Sequence, residues 1–171
     1  MGGAAVEINL REVGKLAQRL NAFALSDGDK ERLMKSLGVA VEEQIKTRFD
    51  TQRDPQGNSW KELAQKTRDY YLENNMGGGS LLVKEGGLRD SIESRVADDA
   101  WSVIVGASKE YAAVHQFGGE IRPKSKPALY VPGYGMLQKV NIPARPYLGF
   151  GTDDIAELQN EVDRFMREHI T

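Results

Sequence analysis

The chain has 171 residues, with 23 Lys and Arg against 25 Asp and Glu, and its formal charge of −2 excludes any global attraction to nucleic acid or an anionic membrane. It is the size of one ordinary domain, residues 1–171, able to bury about two-thirds of the surface of its unfolded form. No cysteine is present, so disulfides, thiol nucleophiles and thiolate metal ligands are excluded.

Met1–Ala5 lacks the basic and apolar runs of a secretion signal, and no apolar stretch reaches membrane-spanning length, so a cytoplasmic chain without a membrane partner is expected. Val6 to Leu10 alternates like a short strand, and Asn9 with Glu12 offers a capping pair for a helix carrying Val13, Leu16, Leu20 and Phe23, to about Ala24. Ser26-Asp27-Gly28-Asp29 breaks the chain and caps a second helix, in which Leu33, Leu37, Val41, Ile45 and Phe49 recur every fourth residue. Asp54-Pro55-Gln56-Gly57-Asn58 reads as a turn, after which Ser59 or Asn58 would cap a third helix through Trp60, Leu63 and Ala64, with Trp60 anchored in the core. The glycine-rich stretch 74–80 reads as a flexible loop or arm.

From Ser91 the period becomes two. Ile92, Ser94 and Val96, then Trp101, Val103 and Val105, read as antiparallel strands joined at Asp98-Asp99. Glu110 to Phe117 reads as a short helical segment stopped by Gly118-Gly119, followed by strands near Glu120–Arg122 and Ala128–Val131 and a last one over Leu137–Ile142. Thr152-Asp153-Asp154 caps a terminal helix with Ile155, Leu158, Val162 and Phe165 on one face. This order gives an α+β fold: an antiparallel sheet meander packed with N-terminal helices and a C-terminal helix.

The catalytic inventory is nearly empty. Of two histidines, His169 suits the negative end of a helix, and His115 shares a helical face with Tyr111, where structural hydrogen bonding is favoured over a general base. Gly77-Gly78-Gly79-Ser80 lacks the Gly-Lys-Ser/Thr ending of a phosphate loop, the adjacent pairs Asp98-Asp99 and Asp153-Asp154 read as turn and cap, and no metal set is spaced for zinc. No catalytic residue, cofactor or metal is therefore expected. Arg122, Lys124 and Lys126 form the one basic feature, held extended by Pro123 and Pro127. It is either a solvated loop that protects a sheet edge or a partner contact, and a nucleic-acid-binding module built on residues 122–126 is the alternative function.

Four segments stand together: Arg48-Phe49 through Asp54-Pro55-Gln56-Gly57 to Trp60 and Leu63; Gly87-Leu88-Arg89-Asp90-Ser91-Ile92; Val105-Gly106 with Tyr111-Ala112-Ala113-Val114-His115-Gln116-Phe117-Gly118; and Ile142-Pro143-Ala144-Arg145-Pro146-Tyr147-Leu148-Gly149. In their order and spacing they resemble the virion morphogenesis, or tail completion, family of Mu-like phages and prophages. The resemblance implies a structural, non-catalytic protein that completes or caps the tail and helps join it to the head. It would act as a ring-like homo-oligomer on the tail axis, touching tail tube and head-neck proteins, in the host cytoplasm during assembly and then in the virion. Pro143 and Pro146 would present Arg145 at a fixed place, to a carboxylate across a subunit junction or within its own chain, with Tyr147 beside it. Partner-contact candidates are thus Arg122, Lys124, Lys126, Arg145 and Tyr147.

Overall fold

The computed structural model describes residues 3–9, 25–76, 81–82, 87–98 and 101–169. The expected helix over Val13–Ala24, the glycines 77–79 and Asp99 lie outside them. Ser26 starts helix α1, Asp27–Thr51, in the way its sequence implies: its hydroxyl accepts from the Asp29 N–H at 3.1 Å, satisfying one of the orphan donors of the first turn. The five residues of the fourfold repeat, Leu33 to Phe49, are all 0–1% exposed, each worth about 1.5–3 kcal/mol of transfer free energy before the entropy of ordering is set against it. The helix stops at Gln52, which takes a left-handed conformation and donates its N–H to the Arg48 carbonyl.

This helix lies on a three-stranded antiparallel sheet made of β1 (Ala4–Asn9), β2 (Ile92–Val96) and β3 (Ser102–Ala107). The order is β1-β3-β2, so β3 is central, with Val105 registered between Val6 and Ser94. Being central explains why Val103, Val105 and Ala107 are buried. Against the other side of α1 packs α4, Thr152–His169, whose Leu158, Val162 and Phe165 are the buried members of the expected stripe; Ile155 stays exposed. Two short antiparallel ribbons complete the described fold. Strands β4 (Gly119–Ile121) and β7 (Val140–Ile142) form one, and β5 (Leu129–Val131) and β6 (Gly135–Leu137) the other. The class is α+β with antiparallel pairing throughout, divided among three sheets.

Two local expectations are corrected. Residues 60–64 are neither helix nor strand, and the helix, α2, begins only at Gln65 and ends at Glu73. The Trp60 N–H goes to the Gln52 carbonyl, and the carbonyls of Lys61 and Glu62 accept from the Arg145 guanidinium, so tertiary partners claim the backbone groups a helix would need. The predicted strand Leu137–Ile142 is two strands, broken at Gln138-Lys139, with each half paired to a different partner. The turn at Asp54 is as expected: its carboxylate accepts from the N–H groups of Gln56 and Asn58, and Gly57 sits at φ +82°.

Candidate functional site

A short helix α3, Ala112–Phe117, ends at Gly118, whose φ of 72° and ψ of 175° belong to a region open essentially to glycine. A Cβ there would meet the Ala144 nitrogen at 2.8 Å, because the chain returning from β7 passes directly against the helix end. That returning segment, Pro143–Gly149, carries its own N–H and C=O groups into the interior without belonging to any sheet. Each buried group therefore needs a partner from elsewhere.

Side chains of α1 and α3, the Trp60 indole and the His115 carbonyl supply such partners. Gln116 works as a clamp: its side-chain oxygen accepts from the N–H groups of Tyr147 and Leu148 at 3.0 and 2.9 Å, and its amide donates to the Leu148 carbonyl at 3.1 Å. Arg48 donates to the carbonyls of Tyr147 at 2.6 Å and Gly149 at 3.0 Å, and its other terminal nitrogen pairs with Asp154 in the first turn of α4 at 2.5 Å. The Trp60 indole donates to the Pro146 carbonyl at 2.8 Å, and the Arg145 N–H donates to the His115 carbonyl at 2.7 Å. Phe49 links the rings, edge-on to Trp60 and tilted against Tyr147 at centroid distances of 5.5 and 5.2 Å. Residues far apart in sequence thus form one knot tying α1, α3, the returning segment and α4.

The candidate contact residues divide between this knot and the surface. Tyr147 is 0% exposed and its hydroxyl donates to the Ala112 carbonyl at 3.1 Å; burial raises the phenol beyond its ordinary range. Arg145 is 5% exposed and donates through Nε and Nη2 to the Lys61 and Glu62 carbonyls at 2.8 and 3.3 Å. Both side chains are therefore buried in the folded chain, Arg145 at the wall of a groove. Tyr147 faces the core, and Arg145 is held by backbone oxygens of its own chain in place of the carboxylate its position implied. Arg122, Lys124 and Lys126 are exposed in the loop between β4 and β5. Arg122 shares Glu120 with Lys139, at 2.6 and 2.8 Å, and the two cations hold that carboxyl below its usual range. Gln116 and Arg48 escaped sequence reasoning as site residues, since a glutamine in a short helix and an arginine near a helix C-terminus ordinarily face water.

The β5–β6 ribbon leans over one side of the knot. Its tip, Pro132-Gly133-Tyr134, is tied to α2: the Tyr134 hydroxyl lies 3.2 Å from that of Thr67, and Lys66 sits over the Tyr134 ring at 4.9 Å. Between the ribbon, α2 and α3 runs a groove of about 1080 Å³ whose walls include Leu63, Tyr71, Tyr111, His115, Leu137 and Arg145. On the ribbon's opposite face the directly paired Tyr130 and Met136 are 71% and 62% exposed. Phe117 at the end of α3 is 74% exposed.

His115 borders the groove with its ring edge-on to Tyr111, at 5.8 Å between centroids, and its Nδ1 is buried without a hydrogen-bond partner among the described residues. Burial, and after it the charge of Arg145, hold the imidazole below its ordinary value of 6.5. The unfolded chain therefore takes up this proton first, and the stability this neutral imidazole provides is present above 6.5 and declines as the pH falls from 6.5 through the folded-state value. Urea unfolding at about pH 7.5 and about pH 5.5 should show a loss in wild type that is smaller in His115→Gln; an equal loss in both would remove His115 as a source. Among the described residues no cluster of His, Asp and Glu could hold a metal ion, and no helix is long and apolar enough to cross a membrane.

Comparison with known proteins places these motifs. The profile of the phage virion morphogenesis family matches residues 8–167. The chain is 27% identical to "Mu-like prophage FluMu G protein 2" of Haemophilus influenzae over 162 residues, covering 95% of this chain and 96% of that one. It is 25% identical over 158 residues to "Mu-like prophage FluMu G protein 1" of the same organism, covering 92% of each. It is also 30% identical over 102 residues to "Putative capsid assembly protein G" of Escherichia phage Mu, covering 59% of this chain and 56% of that protein. No solved structure matches the chain.

Proposed function

The chain belongs to the phage virion morphogenesis family and is a protein of virion assembly, and on that premise we propose that it completes the tail and joins it to the head. In this reading it works without catalysis, as a ring of copies on the tail axis that touches the tail tube and head-neck proteins. The observation that most supports a structural role is the knot itself. The segments Arg48-Phe49, Trp60, Tyr111–Gly118 and Ile142–Gly149 converge on it, and their polar groups hold backbone or neighbouring helices. Such an arrangement fixes the shape of one face. The tyrosine–methionine pair on the β5–β6 ribbon and the lysines of the β4–β5 loop lie outside the knot, and we assign partner contact to them.

Lys124 and Lys126 have no ion-pair partner among the described residues, so reversing both charges should leave folding within about 0.5 kcal/mol of wild type. A Lys124→Glu/Lys126→Glu chain supplied to a gene-deleted phage should then restore joined particles at least about tenfold less well than wild type, since like charges brought together at an interface cost several kcal/mol. Equal complementation would remove the loop from the contact surface. A second reading, assembly of the head, is favoured by the name of the phage Mu relative. It is distinguished by malformed or missing heads, which tail completion does not predict.

A further inference from the structure

Among the described residues, Arg145 is a buried cation without an anionic partner. Its guanidinium reaches only the carbonyl oxygens of Lys61 and Glu62, and no carboxylate lies within ion-pair distance of it among the described residues, Glu62 itself being paired with Arg68. Removing a charge from water is costly, and carbonyl dipoles compensate it less completely than a carboxylate does. Arg145 lines the groove, as do Lys61, exposed and without an ion-pair partner among the described residues, and Lys139 between β6 and β7, which is paired with Glu120 at 2.8 Å. With Lys139 held by Glu120, and Glu62, the acidic side chain among the described lining residues, paired with Arg68, the cations left open at the groove are Arg145 and Lys61. The remaining walls are largely apolar, with Leu63, Leu88, Val131 and Leu137 among them, and the volume of about 1080 Å³ is at the upper limit of what small-molecule pockets usually offer. His115 adds, at the same wall, a buried ring nitrogen with no partner among the described residues.

We propose that this groove is the docking site for an extended apolar segment of another virion protein bearing one carboxylate, which enters beside Arg145 and completes the ion pair that the folded chain leaves open. The apolar walls take the segment's aliphatic or aromatic side chains, and the charge-assisted hydrogen bond to Arg145 sets its register. Lys61 in the lining favours the acidic segment over a neutral one during approach. The inference rests on the assembly reading only for the source of the segment. The chemistry of the groove is tested without any phage.

The purified full chain is used to select from a random twelve-residue display library, and each enriched sequence is synthesised together with its Asp→Asn or Glu→Gln isostere. The expected result is a set of peptides with one carboxylate among apolar residues, whose isosteres bind more than tenfold more weakly by fluorescence anisotropy. Lys61→Glu, a surface change that leaves the knot intact, should weaken the acidic peptides severalfold and the isosteres not at all; Arg145→Gln, where it folds, should abolish the difference between each pair. Enrichment of peptides without an acid, or binding indifferent to the isostere and to Lys61→Glu, overturns the proposal. So does a failure to enrich any peptide, and self-association of the chain that Lys61→Glu abolishes would then assign the groove to a second copy. Acidic-peptide binding by a chain dispensable for tail joining would leave the groove assignment standing and remove the tail-completion reading alone.

Discussion

Arg48→Met should destabilise the folded chain by about 3–5 kcal/mol, the cost of breaking a buried ion pair from one side. Arg48 is 6% exposed, and its loss leaves Asp154 without its cation and the carbonyls of Tyr147 and Gly149 without donors. Methionine fills similar space, so the effect isolates the charge and the hydrogen bonds from packing. The damage should not be confined to one helix. Asp154 also accepts from the Gly151 N–H at 2.5 Å, so the turn leading into α4 loosens together with the returning segment. Chemical denaturation checks the magnitude, and the double variant Arg48→Met/Asp154→Leu should recover part of the loss because it removes the stranded carboxylate. A single variant within 1 kcal/mol of wild type, roughly the value of an exposed pair, would show that the knot is not held by this arginine.

Trp60→Ala should cost on the order of 3–5 kcal/mol and yield little soluble protein. The indole is buried against Phe49, and its N–H is the donor to the Pro146 carbonyl at 2.8 Å, so truncation both opens a cavity and orphans an acceptor. Trp60→Phe separates the two effects by keeping most of the volume and losing the donor, and should cost about 1–3 kcal/mol. For a domain of this length each kcal/mol corresponds to roughly 2–4 °C in Tm, so thermal unfolding resolves the series. Equal Tm values for Trp60→Phe and wild type would mean that the Pro146 carbonyl finds another donor.

How much of this was legible in the sequence depended on the range of the forces involved. Helix α1 was readable because its serine cap and its fourfold apolar repeat are both local, and the structure places both where they were expected. The paired strands β2 and β3 were readable from their period of two for the same reason. Residues 60–64 were misread as helix because Asn58 and Ser59 form a local capping signal, which is overruled by Arg145, 84 residues from Lys61. The split of Leu137–Ile142 was hidden because alternation marks a strand without saying which neighbour it pairs with. At the candidate site, the segments carrying the resemblance were visible, but the sequence could not say which of their residues face outward. Tyr147 fits a core and an interface equally well by type, and only the Phe49 ring and the Gln116 clamp decide that it lies inside. For Arg145 the sequence left open a carboxylate across a subunit junction or one within its own chain; what holds it is a pair of main-chain carbonyls, which no side-chain pattern announces.

Electron microscopy of particles produced with this gene deleted tests the central claim most directly. Tail completion predicts well-formed, filled heads accumulating beside unattached or overlong tails, with joined particles restored when the gene is supplied again. Normally joined particles in the deletion would contradict it.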